Sequence, residues 1–80
     1  MKNLNEQILK ILQDINNDIP DDIEVNLLEK GIIDSFDMAN IVSALEENFN
    51  IEIDGEDILP ENFNSIINIS KIIGNYLQKP

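Results

Sequence analysis

Eighty residues, read as a single domain over 1–80, lie near the size at which one core is only marginally stable; 42% apolar residues but 5% aromatic ones imply an aliphatic core, rich in Ile, with no room for a large internal ligand pocket. With no Cys and no His, disulfides, the usual zinc and haem ligation, thiol nucleophiles and histidine bases are excluded, and most enzyme classes go with them. Sixteen acids against five lysines, a net charge of −11, disfavour binding to nucleic acid or to an anionic membrane, and the absence of a long apolar run or a charged leader predicts an intact cytoplasmic protein.

Taken in chain order, Leu4, Ile8, Ile11, Leu12 and Ile15 recur at helical spacing. Asn3 with Glu6 three positions on forms a capping-box pattern, so a first helix is predicted from Asn3 to about Asp14 or Ile15. Asn16 to Lys30 holds Pro20, an Asp-Asp pair and the aperiodic apolar residues Ile19, Ile23, Val25, Leu27 and Leu28, which predicts a long ordered loop pinned by those residues. After Gly31 a second helix begins at Ser35, with Met38, Ile41, Val42, Leu45 and Phe49 on one stripe expected to pack against Ile8, Leu12, Ile69 and Ile73. Ile51-Glu52-Ile53 is too short for a sheet and reads as extended loop. Glu56 to Leu59 is predicted as a single helical turn stopped near Pro60. Ser65 is placed to cap a last helix reaching about Leu77, with Ile66, Ile69, Ile72, Ile73, Tyr76 and Leu77 facing inward and Gly74 a tolerated weak point.

The residues with chemical potential cluster at the start of the second helix. Asp34 and Asp37 flank Ser35 and Phe36, and both acids suit the positive end of a helix. An isolated serine here is ordinarily just a helix-start residue. As a nucleophile it would need a base, and the chain has no His and no lysine near enough in sequence to suggest one, so Ser35 reads as an acceptor for another enzyme's chemistry. A calcium loop is ruled out: Asp14, Asn16 and Asp18 match its first ligand positions, but Ile19 stands where Gly is needed and Val25 where a bidentate Glu is needed.

Asp34-Ser35-Phe36 resembles the phosphopantetheine attachment motif of the acyl and peptidyl carrier proteins, Asp-Ser followed by a large apolar residue. The resemblance continues through Ala44 to Ile53, similar to the end of that family's second helix and the loop after it. Ile58 to Ile66 is similar to its short third helix and the entry to the last one. It implies an all-α, four-helix acyl-carrier-protein-like bundle with three longer helices, one short helix and a long loop between helices one and two. It further implies a carrier without catalysis of its own: a phosphopantetheinyl transferase would attach 4'-phosphopantetheine to Ser35, with Asp34 part of the motif. The arm's thiol would hold acyl or aminoacyl groups as thioesters for an activating ligase, acyltransferase or synthase. Nearby helix-start N–H groups would favour the attached phosphate. Two apolar residues between Gly31 and Asp34 are more familiar in peptidyl and D-alanyl carriers than in fatty-acid carriers, so a specialised carrier is implied. The alternative is a small acidic helical interaction module without a prosthetic group.

An acidic excess on its own reads as a solvated surface. Here nine acids and no base lie between Lys30 and Lys71, around the residue every partner must reach. By that argument Asp37, Glu46, Glu47 and Glu56 are expected to meet basic partner surfaces, alongside Phe36 as an exposed apolar contact and the small residues Ala39 and Ser43 on the same outer face. A monomer is expected.

Overall fold

The computed structural model describes residues 3–78, and among them every regular element is helical. Helix α1 is Leu4–Ile15, α2 Ser35–Phe49, α3 Pro60–Phe63 and α4 Ile66–Gln78, with a 3-10 turn at Gly55–Asp57 between α2 and α3. The architecture is the all-α four-helix bundle that the sequence implied.

Each long helix starts as its sequence dictates. Asn3 Oδ1 accepts from Glu6 N at 2.8 Å to open α1, and Ser65 Oγ accepts from Asn68 N at 3.2 Å to open α4. At the far end of α2, Asn50 takes the left-handed conformation (φ 54°), and both its N–H and that of Ile51 return to the Glu46 carbonyl. Helix α1 packs on α2 and α4, and α3 packs on α4. A methyl group placed on Gly74 would sit 3.8 Å from Leu4 Cδ2, so the end of α4 lies beside the start of α1 and the two run antiparallel.

The core joins Ile8 and Leu12 of α1 to Met38, Ile41, Val42 and Leu45 of α2 and to Ile66, Ile69 and Ile73 of α4, with Phe63 of α3 beneath. The expected stripe of α2 therefore lies in one core with Ile8, Leu12, Ile69 and Ile73, Phe49 only half-buried at its end. The loop between α1 and α2 contributes Ile19, Leu27 and Ile33 as fully as a helix would. Two expected inward residues are not inward. Ile15 is exposed at the end of α1, and Leu77 is exposed in the last turn of α4.

Pro60 begins α3 where the sequence reading had it ending a turn. Its missing N–H is one that a first-turn residue would leave unpaired in any case, so proline fits position N1, and the preceding residues form the separate 3-10 turn. That turn is tied to α4. The Tyr76 hydroxyl donates to Asp57 Oδ2 and accepts from Asp54 N at 2.9 Å.

Truncating Leu45, wholly buried in the core, to Ala is expected to cost about 2–5 kcal/mol in urea unfolding. A loss below about 0.5 kcal/mol would mean that α2 is rotated about its axis. The Asp57 carboxylate, with lesser help from burial, raises the Tyr76 pKa above its ordinary value of 10.0. The folded pKa exceeds the unfolded one, so this link stabilises fully below pH 10 and its contribution is lost as pH rises through the folded value. Ultraviolet titration of this sole tyrosine should give a midpoint above 10, and Tyr76→Phe should remove the corresponding alkaline part of the stability profile.

Candidate functional site

Gly31, with φ +72°, turns the chain toward α2, a conformation strained for any residue with a Cβ. Ile33 then buries its side chain, and Asp34 emerges as the N-cap of α2. Asp34 Oδ1 accepts from both Phe36 N and Asp37 N at 3.0 Å, while Asp37 Oδ2 accepts from Asp34 N at 2.9 Å. The two carboxylates form a reciprocal capping box, and Ser35 occupies the first helical position between them.

The Ser35 side chain is exposed, and its hydroxyl makes no hydrogen bond to any described residue. Phe36 beside it is 83% exposed, the most solvent-facing large apolar side chain among the described residues. Ala39 and Ser43 follow on the same outward face, as does Glu47 one turn beyond Ser43; Glu56 is exposed on the 3-10 turn. These residues are accessible, as the sequence reading required. Two of the helix-start N–H groups are engaged: Phe36 and Asp37 already donate to Asp34, so a phosphate on Ser35 would not find those two open. The exposed, unbonded hydroxyl fits a covalent phosphate with no displacement of protein atoms.

Glu46 departs from its expected place on the partner face. It is half-buried, and Oε2 accepts from Ile53 N at 2.9 Å, holding the strap that leads back from α2 and lets Ile53 enter the core. Nothing in its sequence neighbourhood signals this, because the donor lies on a segment with no regular pattern. Reversing its charge would therefore disturb the fold as well as the surface. A groove between α1 and α2, lined by Gln7, Lys10, Ile11, Asp14, Asn48 and Phe49, lies at the other end of α2, about 20 Å from Ser35 at 1.5 Å per residue, and has no part in this site. No group of His, Cys, Asp or Glu able to hold a metal is found among the described residues, nor is any helix there long and apolar enough to cross a membrane.

The model of the phosphopantetheine attachment site matches residues 6–73, which takes in most of α1 and α4, all of α2 and α3, and the serine at the start of α2. The chain belongs to the phosphopantetheine-dependent carrier proteins. D-alanyl carrier proteins of Bacillus cereus (strain B4264) and Bacillus anthracis (strain CDC 684 / NRRL 3495) are each 32% identical to it over 59 residues, which cover 71% of this chain and 75% of theirs. This carrier is thus armed by 4'-phosphopantetheine held covalently on a serine; it carries acyl or aminoacyl groups as thioesters, and works with a phosphopantetheinyl transferase and with ligases that load it.

Glu46→Lys is expected to lose about 1–3 kcal/mol in urea unfolding, since it removes a charged acceptor and leaves the Ile53 N–H without its partner. Glu47→Lys, on the exposed face one residue later, should stay within about 0.5 kcal/mol. Equal losses would refute the assignment of Glu46 to the strap.

Proposed function

We propose that Ser35 is the residue that receives the arm, that residues 1–80 act as one carrier unit, and that its cargo is a D-alanyl group supplied by a D-alanine-activating ligase. The observation that carries the attachment reading is the unbonded, exposed Ser35 hydroxyl at the helix turn fixed by the Asp34–Asp37 capping box. The other serines are poorer acceptors. Ser65 is buried, the Ser70 hydroxyl is enclosed, and Ser43 lies within α2 without an acidic cap. Support for the cargo comes from the D-alanyl carrier relatives and from the paired Ile32-Ile33 before Asp34.

In this reading Ser35 Oγ forms a bond to the phosphorus of coenzyme A's phosphopantetheine as the bond to the nucleotide portion breaks. With no histidine in the chain, the serine proton goes to a base of the transferase. Asp34 and Asp37 keep the first turn of α2 wound while the hydroxyl is engaged. Once bound, the group supplies the terminal thiol that a cysteine-free chain lacks. Phe36, Ala39 and Ser43 form the surface a partner closes over, and Asp37, Glu47 and Glu56 draw basic partner surfaces toward it.

Incubation with coenzyme A and a broad-range phosphopantetheinyl transferase, followed by mass spectrometry, should add one arm to the wild-type protein and none to a folded Ser35→Ala protein. The armed protein should then gain a D-alanyl group from D-alanine, ATP and a D-alanine-activating ligase; an armed protein refused by that ligase overturns the cargo. Arm loading should slow as ionic strength rises, because such attractions are screened within about 8 Å at physiological salt. It should slow again in the Glu47→Lys, Glu56→Lys protein. Rates indifferent to both would assign recognition to apolar contacts such as Phe36.

A further inference from the structure

Asn16 closes α1, and both ends of its side-chain amide are used. Oδ1 accepts from Asp18 N at 2.9 Å, which orients the amide so that Nδ2 donates to the Ile32 carbonyl at 3.0 Å. Ile32 lies three residues before Ser35. Its own N–H donates to Leu27 O at 2.9 Å, and Ile33 N reaches the same oxygen at 3.2 Å. The approach to the serine is therefore clamped on both sides, by the buried Leu27 on one and by the end of α1 on the other. Beyond it come only Ile33, buried, and Asp34, fixed in its cap.

Gln13, three residues before Asn16 on α1, offers a contrast. Its Nε2 donates to Ile19 O at 3.0 Å and to Asp21 Oδ1 at 2.8 Å, which secures the start of the same loop without touching Ile32. The two side chains perform the same structural task at different distances from the serine. Only the Asn16 bond ends on the segment that places Ser35.

We propose that Asn16 is a positioning residue for arm attachment: by fixing the Ile32 peptide it sets where the Ser35 hydroxyl stands in the transferase's site. This rests on the reading of Ser35 as the attachment residue. Phosphoryl transfer demands alignment of the attacking oxygen, and a displacement of about 1 Å can cost on the order of 100-fold in rate. Asn16 is half-buried and uncharged, so its effect falls on the placement of the oxygen and leaves the acidic partner face unaltered.

Asn16→Asp keeps the acceptor for Asp18 N and removes the donor to Ile32, and because it also adds a carboxylate, Asn16→Ala is measured beside it as the uncharged loss of the same donor. Loading kinetics with coenzyme A and a broad-range phosphopantetheinyl transferase should show kcat lowered about tenfold or more, with KM for the carrier within about twofold. Nitrogen-15 spectra of the unarmed protein should show displaced Ile32, Ile33 and Ser35 amides. Gln13→Ala should lower the unfolding midpoint yet load at the wild-type kcat. Asn16→Ala should slow loading likewise, and its result stands alone should Asn16→Asp not fold. Loading of the Asn16 variant on Ser35 at the wild-type kcat overturns the positioning role alone, as does an equal slowing in Gln13→Ala. An arm found on another residue of the wild-type protein overturns the Ser35 reading and the positioning role together.

Discussion

The peptide groups of Leu27 are the joint on which this small bundle turns. Its N–H donates to Asn64 O at 2.6 Å, where α3 gives way to α4, and its carbonyl accepts from Ile32 and Ile33 as the chain swings toward α2. Between those bonds the side chain is wholly buried. A domain of this size cannot leave a long irregular segment loose, because unpaired backbone groups near the core would cost more than its modest apolar area returns. One residue thus ties the approach to α2 to the junction before α4, and Ile67 N donating to Ile23 O at 3.0 Å repeats the stitch nearby.

Uncharged amides do much of the remaining fastening. Asn16 and Gln13 secure the first loop, Asn62 holds Asp57 O at 2.8 Å, and Asn68 bonds Asn64 at 2.8 Å beside the Leu27 joint. In a chain of net charge −11 a carboxylate in those places would add repulsion, whereas an amide supplies donor and acceptor together. Glu46 is the exception, and it works because both the Ile53 N–H and the positive φ of Asn50 bring the strap back over the end of α2. Lys10 and Asp14, a single turn apart on exposed α1, make a solvent-facing ion pair at 3.6 Å that adds little.

The long helices were legible in the sequence because cap and period agreed: Asn3 with Glu6, Asp34 with Asp37 and Ser65 each stood before a stripe of Ile and Leu. The site was legible for the same reason, since Ser35 lies at the one helix start where the cap is doubly acidic. Pro60 was not, because proline both ends a preceding turn and opens a following helix, and only the path of Leu59 decides between them. Glu46 and Asn16 were opaque because their partners are backbone groups of segments without a pattern. Asn16 had meaning in the sequence only as a ligand of a calcium loop that fails, yet its amide reaches a carbonyl sixteen residues on. Leu77 continues the stripe in spacing but not in burial, and spacing alone carries no sign of where burial stops.

Phe36 sets a bound on how long any partner can stay. Its ring stands alone among Ala39, Asn40 and Ser43, so a protein closing over this face gains one large apolar side chain and a few small ones. Burying a phenylalanine is worth about 1.5–3 kcal/mol, roughly ten- to a hundredfold in affinity. Such differences are expressed mostly in the rate of departure. A face with a single anchor is suited to brief visits, so that each complex dissolves soon enough for the next enzyme to find the same serine.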